Sequence, residues 1–169
     1  MATYELIEEK NLTTTTASVT FSSIPNTYTD LLLYISSRNN DIYNEVHFRF
    51  NGSSASTYSG RNIYGNGSSA ISSNSSSISS LQNVTVQSVS GQTANTFGNI
   101  QLYIPNYLLG GHKSISGDGV QENLGSSAQS MLGAGLWADT AAITSIQAFP
   151  SVGSFVANSN FYLYGIKNS

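Results

Sequence analysis

FSSIPNTYTDLLLYISSRN, residues 21–39, decides the fold. Phe21 closes an alternation in which Ala17, Val19 and Phe21 face one way and Ser18, Thr20 and Ser22 the other. That is the period of a half-buried strand. Ile24-Pro25-Asn26 then breaks the run, because proline removes a ladder donor and asparagine accepts turn conformations. From Asp30 to Arg38 the apolar residues crowd together, and Leu31-Leu32-Leu33-Tyr34-Ile35 is apolar on both faces. This predicts a strand buried on both sides, or one at the centre of a sandwich that faces a partner subunit. Strand, turn and strand follow each other here with no helical period, so an all-β fold is the expectation.

The same reading extends in both directions. Residues 3–8 form a first strand with Tyr4 and Leu6 on one face, and Thr13 to Thr16 link it onward. Val46, Phe48 and Phe50 alternate with Glu45, His47 and Arg49, the cleanest period of two in the chain, which puts His47 and Arg49 outside. Val84 and Val86 begin another strand. Ile100, Leu102 and Ile104 alternate with Asn99, Gln101 and Tyr103, and Pro105 ends that run. Residues 107–111 turn, and 112–120 return as the second arm of a hairpin. In residues 130–137, Leu132, Ala134 and Leu136 share one face; Met131, Gly133, Gly135 and Trp137 share the other. Two glycines beside bulky neighbours predict close packing or a bulge. Residues 143–149 and 160–166 finish the chain. Nine or ten strands and no helix predict one antiparallel two-sheet sandwich of jelly-roll type over residues 1–169, with a closed barrel or immunoglobulin-like sandwich as alternatives. Residues 51–82 are the odd part, rich in Ser, Gly and Asn. Low complexity of this kind predicts a long excursion with one or two short strands, anchored by Tyr58, Ile63, Tyr64, Ile71, Ile78 and Leu81.

Composition narrows the function classes. Only 9% of the 169 residues are charged, against roughly 25% in an ordinary domain. The polar surface must therefore come from hydroxyl and amide side chains, which suit sheets and turns better than solvated helices. Net charge is −3, and Lys10, Arg38, Arg49, Arg61, Lys113 and Lys167 are scattered. No basic stripe exists to neutralise phosphates, so no nucleic-acid partner is expected. No basic amphipathic segment or long apolar run points to a membrane, and the acidic opening MATYELIEEK does not read as a secretory signal. With no cysteine, disulfides and thiolate metal sites are excluded.

The search for chemistry returns little. Phosphate-loop, HExxH, GxSxG and EF-hand patterns are all missing. His47 and His112 lie far apart in sequence and read as surface residues. The nine carboxylates show no aromatic-flanked pair of the kind glycoside hydrolysis uses. Arg38-Asn39-Asn40-Asp41 and Ser116-Gly117-Asp118-Gly119 could offer oxygens to Ca²⁺ but read first as turns. Five N-x-Ser/Thr sequons, at Asn11, Asn51, Asn66, Asn74 and Asn83, are unremarkable in so Asn- and Ser-rich a chain. Neither a catalytic residue nor a cofactor or metal site is expected. Of the ten tyrosines, Tyr34, Tyr162 and Tyr164 read as core or subunit-contact residues. Tyr58, Arg61 and Tyr64 are candidate partner or glycan contacts, because Tyr and Arg carry much of the energy at recognition surfaces. The bland alternative is that they pin a loop to the sheet.

MATYELI at the start, FSSIPNTYTDLLLYISSR, IPNYLLGGHKS (residues 104–114) and the closing SNFYLYGIKNS (residues 159–169) resemble, in that order, a family of small virion proteins of tailed bacteriophages. The likeness covers most of the chain and is weakest over residues 51–95. It implies a jelly-roll protein on the particle surface, either a head decoration (cement) protein or a tail or fibre piece. The implied partners are the major capsid protein or other virion proteins, with a homotrimer as the implied assembly and host-surface glycan as the alternative ligand. These motifs mark strands and turns, and they carry over no catalytic residue.

Overall fold

A computed structural model describes residues 1–125 and 128–168. Among them are eleven strands and no helix: β1 (Thr3–Asn11), β2 (Val19–Phe21), β3 (Asp30–Ser37), β4 (Val46–Phe50), β5 (Tyr58–Gly65), β6 (Ala70–Ile78), β7 (Gly98–Ile104), β8 (Lys113–Gln121), β9 (Gln129–Trp137), β10 (Ile146–Pro150) and β11 (Asn160–Lys167). They build an antiparallel two-sheet sandwich. The large sheet runs β1-β11-β3-β7-β8-β9-β5-β6 and the small one β2-β10-β4.

The pairing is nested. β1 lies on β11, β2 on β10 and β3 on β7. β4 meets residues 81–88 through the antiparallel bridges Phe48 to Leu81 and Glu45 to Val86. The chain is thus one long antiparallel ribbon folded in half and rolled, which is the jelly-roll plan. Two hairpins, β5-β6 and β8-β9, are inserted into this ribbon. They pair with each other through β5 and β9 and widen one sheet to eight strands.

The core sits between the sheets. Phe21, Phe48 and Phe50 from the small sheet meet Leu31, Leu33, Leu102, Trp137, Phe161 and Leu163 from the large one. Full burial of each such side chain stabilises by roughly 1.5–3 kcal/mol. Under the inserted hairpins the small sheet gives way to residues 81–88, and the large sheet opposes them with glycines. A Cβ at Gly117 would stand 2.6 Å from the Val84 carbonyl oxygen, and one at Gly119 2.7 Å from the Val86 nitrogen. Gly60 and Gly133 face the backbone of Gln82 and Val84 in the same way. The close packing expected of Gly133 and Gly135 is there, as one side of this glycine trough.

Within residues 51–82, where one or two short strands are expected, β5 and β6 form a hairpin of eight- and nine-residue strands. Pairing to β9 supplies the order that the serine-rich sequence alone does not. The strand expected from Val84 and Val86 is corrected: no regular strand forms there, and only Leu81, Val86 and Ser88 make isolated bridges, because the backbone lies across the trough. Ser116 to Gly119 is the middle of β8 and not a turn, its glycines being needed for that crossing.

Candidate binding face

β5 distributes the predicted contact residues by strict alternation. Tyr58 points inward and is 1% exposed. Its ring stacks on Trp137 at 6.3 Å and lies 6.1 Å from Phe50. The hydroxyl accepts from the Phe50 N–H at 3.1 Å and donates to the Ser53 carbonyl at 3.1 Å. Burial raises its pKa, although these hydrogen bonds pull the other way. Tyr58 is thus a core residue and is not available as a surface contact. Tyr64 shares its face of the strand but lies half-buried, and Arg61 is exposed on the opposite face. The three do not converge on one surface, since positions three apart in a strand lie on opposite faces.

A different group of side chains does converge. On the outer face of the large sheet, register brings Tyr34 opposite Tyr162, Leu32 opposite Tyr164, and Tyr4 opposite Ile166. On the other side Leu32 faces Tyr103. Four adjacent strands therefore present Tyr4, Tyr34, Tyr103, Tyr162 and Tyr164 together. Tyr4 is 60% and Tyr34 42% exposed, whereas Leu32, ringed by tyrosines, is only 5% exposed. Among the described residues no strand is layered over Leu32, and its register neighbours are Tyr164 and Tyr103, so the strand apolar on both faces is explained without a sheet on each side. Tyr34 and Tyr164 meet edge to face at 6.1 Å and 80°, a favourable arrangement of ring quadrupoles. Tyr103 donates to Asp30 Oδ2 at 2.9 Å, and desolvation with that carboxylate raises the Tyr103 pKa. Asp30 also accepts from the Asn106 N–H at 2.8 Å and from Asn168 at 3.0 Å. The signals for this face in the sequence are the run Leu31–Ile35, apolar on both faces, and the alternation of Tyr162 and Tyr164 with Phe161 and Leu163.

Across the inserted strands the outer face changes character. Leu132 is 62% and Ile63 59% exposed, and the register sets them opposite each other. With Arg61, Ser72 and Ala134 they line a shallow depression. Asp118 faces outward beside Leu132, and desolvation raises its pKa.

The remaining titratable groups serve the fold. Lys113 is buried, and its Nζ donates to the carbonyls of Leu109 (2.8 Å), Gly111 (2.6 Å) and Asp139 (3.4 Å). It braces the β7–β8 turn, and burial lowers its pKa. Arg38 spans the 90–96 loop by donating to the carbonyls of Ser90, Gln92, Thr93 and Thr96. Asn39 Oδ1 accepts from the Asp41 and Ser154 N–H groups while its amide donates to Tyr43 and Val152. Arg38 and Asn39 thus spend their polar atoms on the backbone of the 90–96 and 152–154 segments and of residues 41–43. His47 lies 3.2 Å from both Glu45 and Ser80, and His112 is exposed ahead of β8. Among the described residues no three His, Cys, Asp or Glu side chains are grouped to hold a metal ion. No protein-family model matches the chain, and comparison with curated proteins gives no significant match.

Proposed function

We propose that this chain is a structural virion protein of a tailed bacteriophage, most specifically a head decoration protein that stabilises the capsid by binding major capsid subunits from the particle surface. On this reading it acts as a homotrimer and catalyses nothing. The observation that carries the proposal is the tyrosine-rich outer face of the large sheet. Tyrosine offers large, amphipathic contact area at low entropic cost. The four tyrosine-bearing strands, at about 4.8 Å spacing and roughly 25 Å length, give a face on the order of 400–500 Å², about half of the ~800 Å² per partner of a standard interface, and the inserted strands beside them extend it. Jelly rolls are recurrent in capsid and lectin domains, an analogy of fold that supports the role without assigning it. The resemblance of the opening and closing strands to phage virion proteins points the same way.

The test is a density map of intact particles together with quantitative proteomics. Decoration predicts density at the capsid three-folds, many copies per particle, and loss of occupancy in Tyr34→Asp/Tyr164→Asp. A few copies at the tail tip would overturn the head assignment. The depression beside Arg61 favours a second reading, a tail or fibre module that binds host-surface glycan there. A glycan array that lights up with wild type and goes dark with Arg61→Ala would select it.

A further inference from the structure

We propose that β6 is a self-pairing edge: the β6 strands of two copies join antiparallel across a two-fold axis, making one continuous sheet from two. β6 ends the large sheet, with β5 as its one neighbour. Alternate backbone N–H and C=O groups along such an edge point away from the sheet and invite another strand.

The two edges of this sheet are treated differently. β1 is guarded by a bulge between Leu6 and Glu8 and by Glu5, Glu8, Glu9 and Lys10. Lys10 pairs with Glu8 at 2.6 Å, and Lys167 from β11 with Glu5 at 3.2 Å. Bulges and charges are the devices that keep edges from pairing. β6, AISSNSSSI, has no charge and no proline. Its one irregularity is at the far end, where Ser77 has a φ of 55° and is skipped by the register. Residues 70–76 are regular.

The sequence of β6 favours its own copy as occupant. A foreign peptide added to an edge is selected by pockets for its alternate side chains. Residues 72–76 of β6 offer only small polar side chains, Ser72, Asn74 and Ser76 on the outer face and Ser73 and Ser75 on the inner, and of these Ser72 alone borders the shallow depression. The inner pair is already engaged: Ser73 donates to Asn62 at 3.0 Å, and Ser75 accepts from Asn83 at 2.6 Å. An identical strand opposes no like charges. Along residues 70–76 the charged residue paired with β6 is Arg61, opposite Asn74 on β5. Across the axis it would face its copy at three strand spacings, about 14 Å, beyond the ~8 Å Debye length at physiological salt. Serine and asparagine side chains can hydrogen-bond across such a pair, and antiparallel pairing closes as a two-fold contact. The contact goes beyond the proposed function; in a trimer it would join one trimer to the next.

Sedimentation velocity over a wide concentration range tests it on the purified chain. As concentration rises, wild type should double its mass if its base unit is one copy; a trimer, with three such edges, should double or grow further. Asn74→Lys/Ser76→Lys, at exposed positions, should weaken the doubling roughly tenfold or more with an unchanged melting curve. In wild type, amide exchange over residues 70–76 should slow only at high concentration. One constant mass with fast exchange at 70–76 in wild type would overturn the proposal, as would doubling that persists in the folded double variant.

Discussion

At the scale of one residue, Tyr58 ties local chemistry to a measurable pH response. Its ring fills the space between Phe50 and Trp137, and its hydroxyl satisfies the Phe50 N–H and the Ser53 carbonyl. Burial raises its pKa, and the same cause leads at Tyr103 and Tyr107. A tyrosine whose folded pKa is raised contributes stability that is fully present below the unfolded value of about 10. Above that pH the unfolded chain loses the proton first, so stability falls as pH rises through the folded pKa. The tyrosine contribution to the denaturant midpoint should therefore be flat up to about pH 9 and decline beyond about 10. Tyr58→Phe should lose about 1 kcal/mol at neutral pH and show a shallower alkaline decline. Lys113, with its lowered pKa, acts in the opposite sense below about 10.5, but it is common to both proteins and cancels in the comparison. Parallel curves for the two proteins would mean that Tyr58 is not protonated-by-burial in the way described.

At the scale of elements, the glycine trough explains how a serine- and glycine-rich segment becomes ordered sheet. Residues 81–88 cross β8, β9 and β5 backbone against backbone, and Leu81, Val84 and Val86 are fully buried there. Part of this was legible. Gly133 and Gly135, beside Met131 and Trp137, signal close approach from sequence alone. Gly117 and Gly119 do not, because Ser-Gly-Asp-Gly reads as a turn and the segment they receive lies some thirty residues away. The length and pairing of β5 and β6 were not legible for the same reason: beyond the one or two short strands expected there, their order comes from β9, a partner remote in sequence. Gly117→Val should destabilise by about 3 kcal/mol or more, since its Cβ would press into the Val84 carbonyl with no flexible side chain to yield. Gly91→Ala, where nothing lies within 4 Å, should stay within about 0.5 kcal/mol. Urea midpoints at matched slope would check both, and equal losses would remove the trough as the cause.

At the scale of the whole molecule, the nested pairing makes the two chain ends unequal. β11 lies between β1 and β3 and buries Phe161 and Leu163 completely, while no residue of β1 is fully buried. Removing residues 1–11 should leave a folded protein of reduced stability. Removing 160–169 costs two core side chains at roughly 1.5–3 kcal/mol each and a ladder on both sides, enough to exhaust a typical 5–15 kcal/mol. Circular dichroism of the two truncations separates these outcomes, and a folded protein lacking 160–169 would contradict the rolled plan. Both end strands were readable from their alternation, but which strands pair was not, because register is a tertiary property. The scarcity of charge has a consequence at this scale too. Among the described residues there are two Lys–Glu ion pairs, Lys10–Glu8 and Lys167–Glu5, and a His47–Glu45 contact that is an ion pair only when the histidine is protonated, each with one or both side chains about a third or more exposed. Such pairs contribute about 0–1 kcal/mol each and are screened by salt, whereas apolar burial is not. Raising NaCl from about 0.05 to 0.5 M should therefore move the melting temperature by less than about 2 °C. A protein serving on a particle exposed to changing ionic strength would benefit from that indifference. A shift several times larger would show that charge, and not the packed core and hydroxyl-rich ladders, sets the stability of this fold.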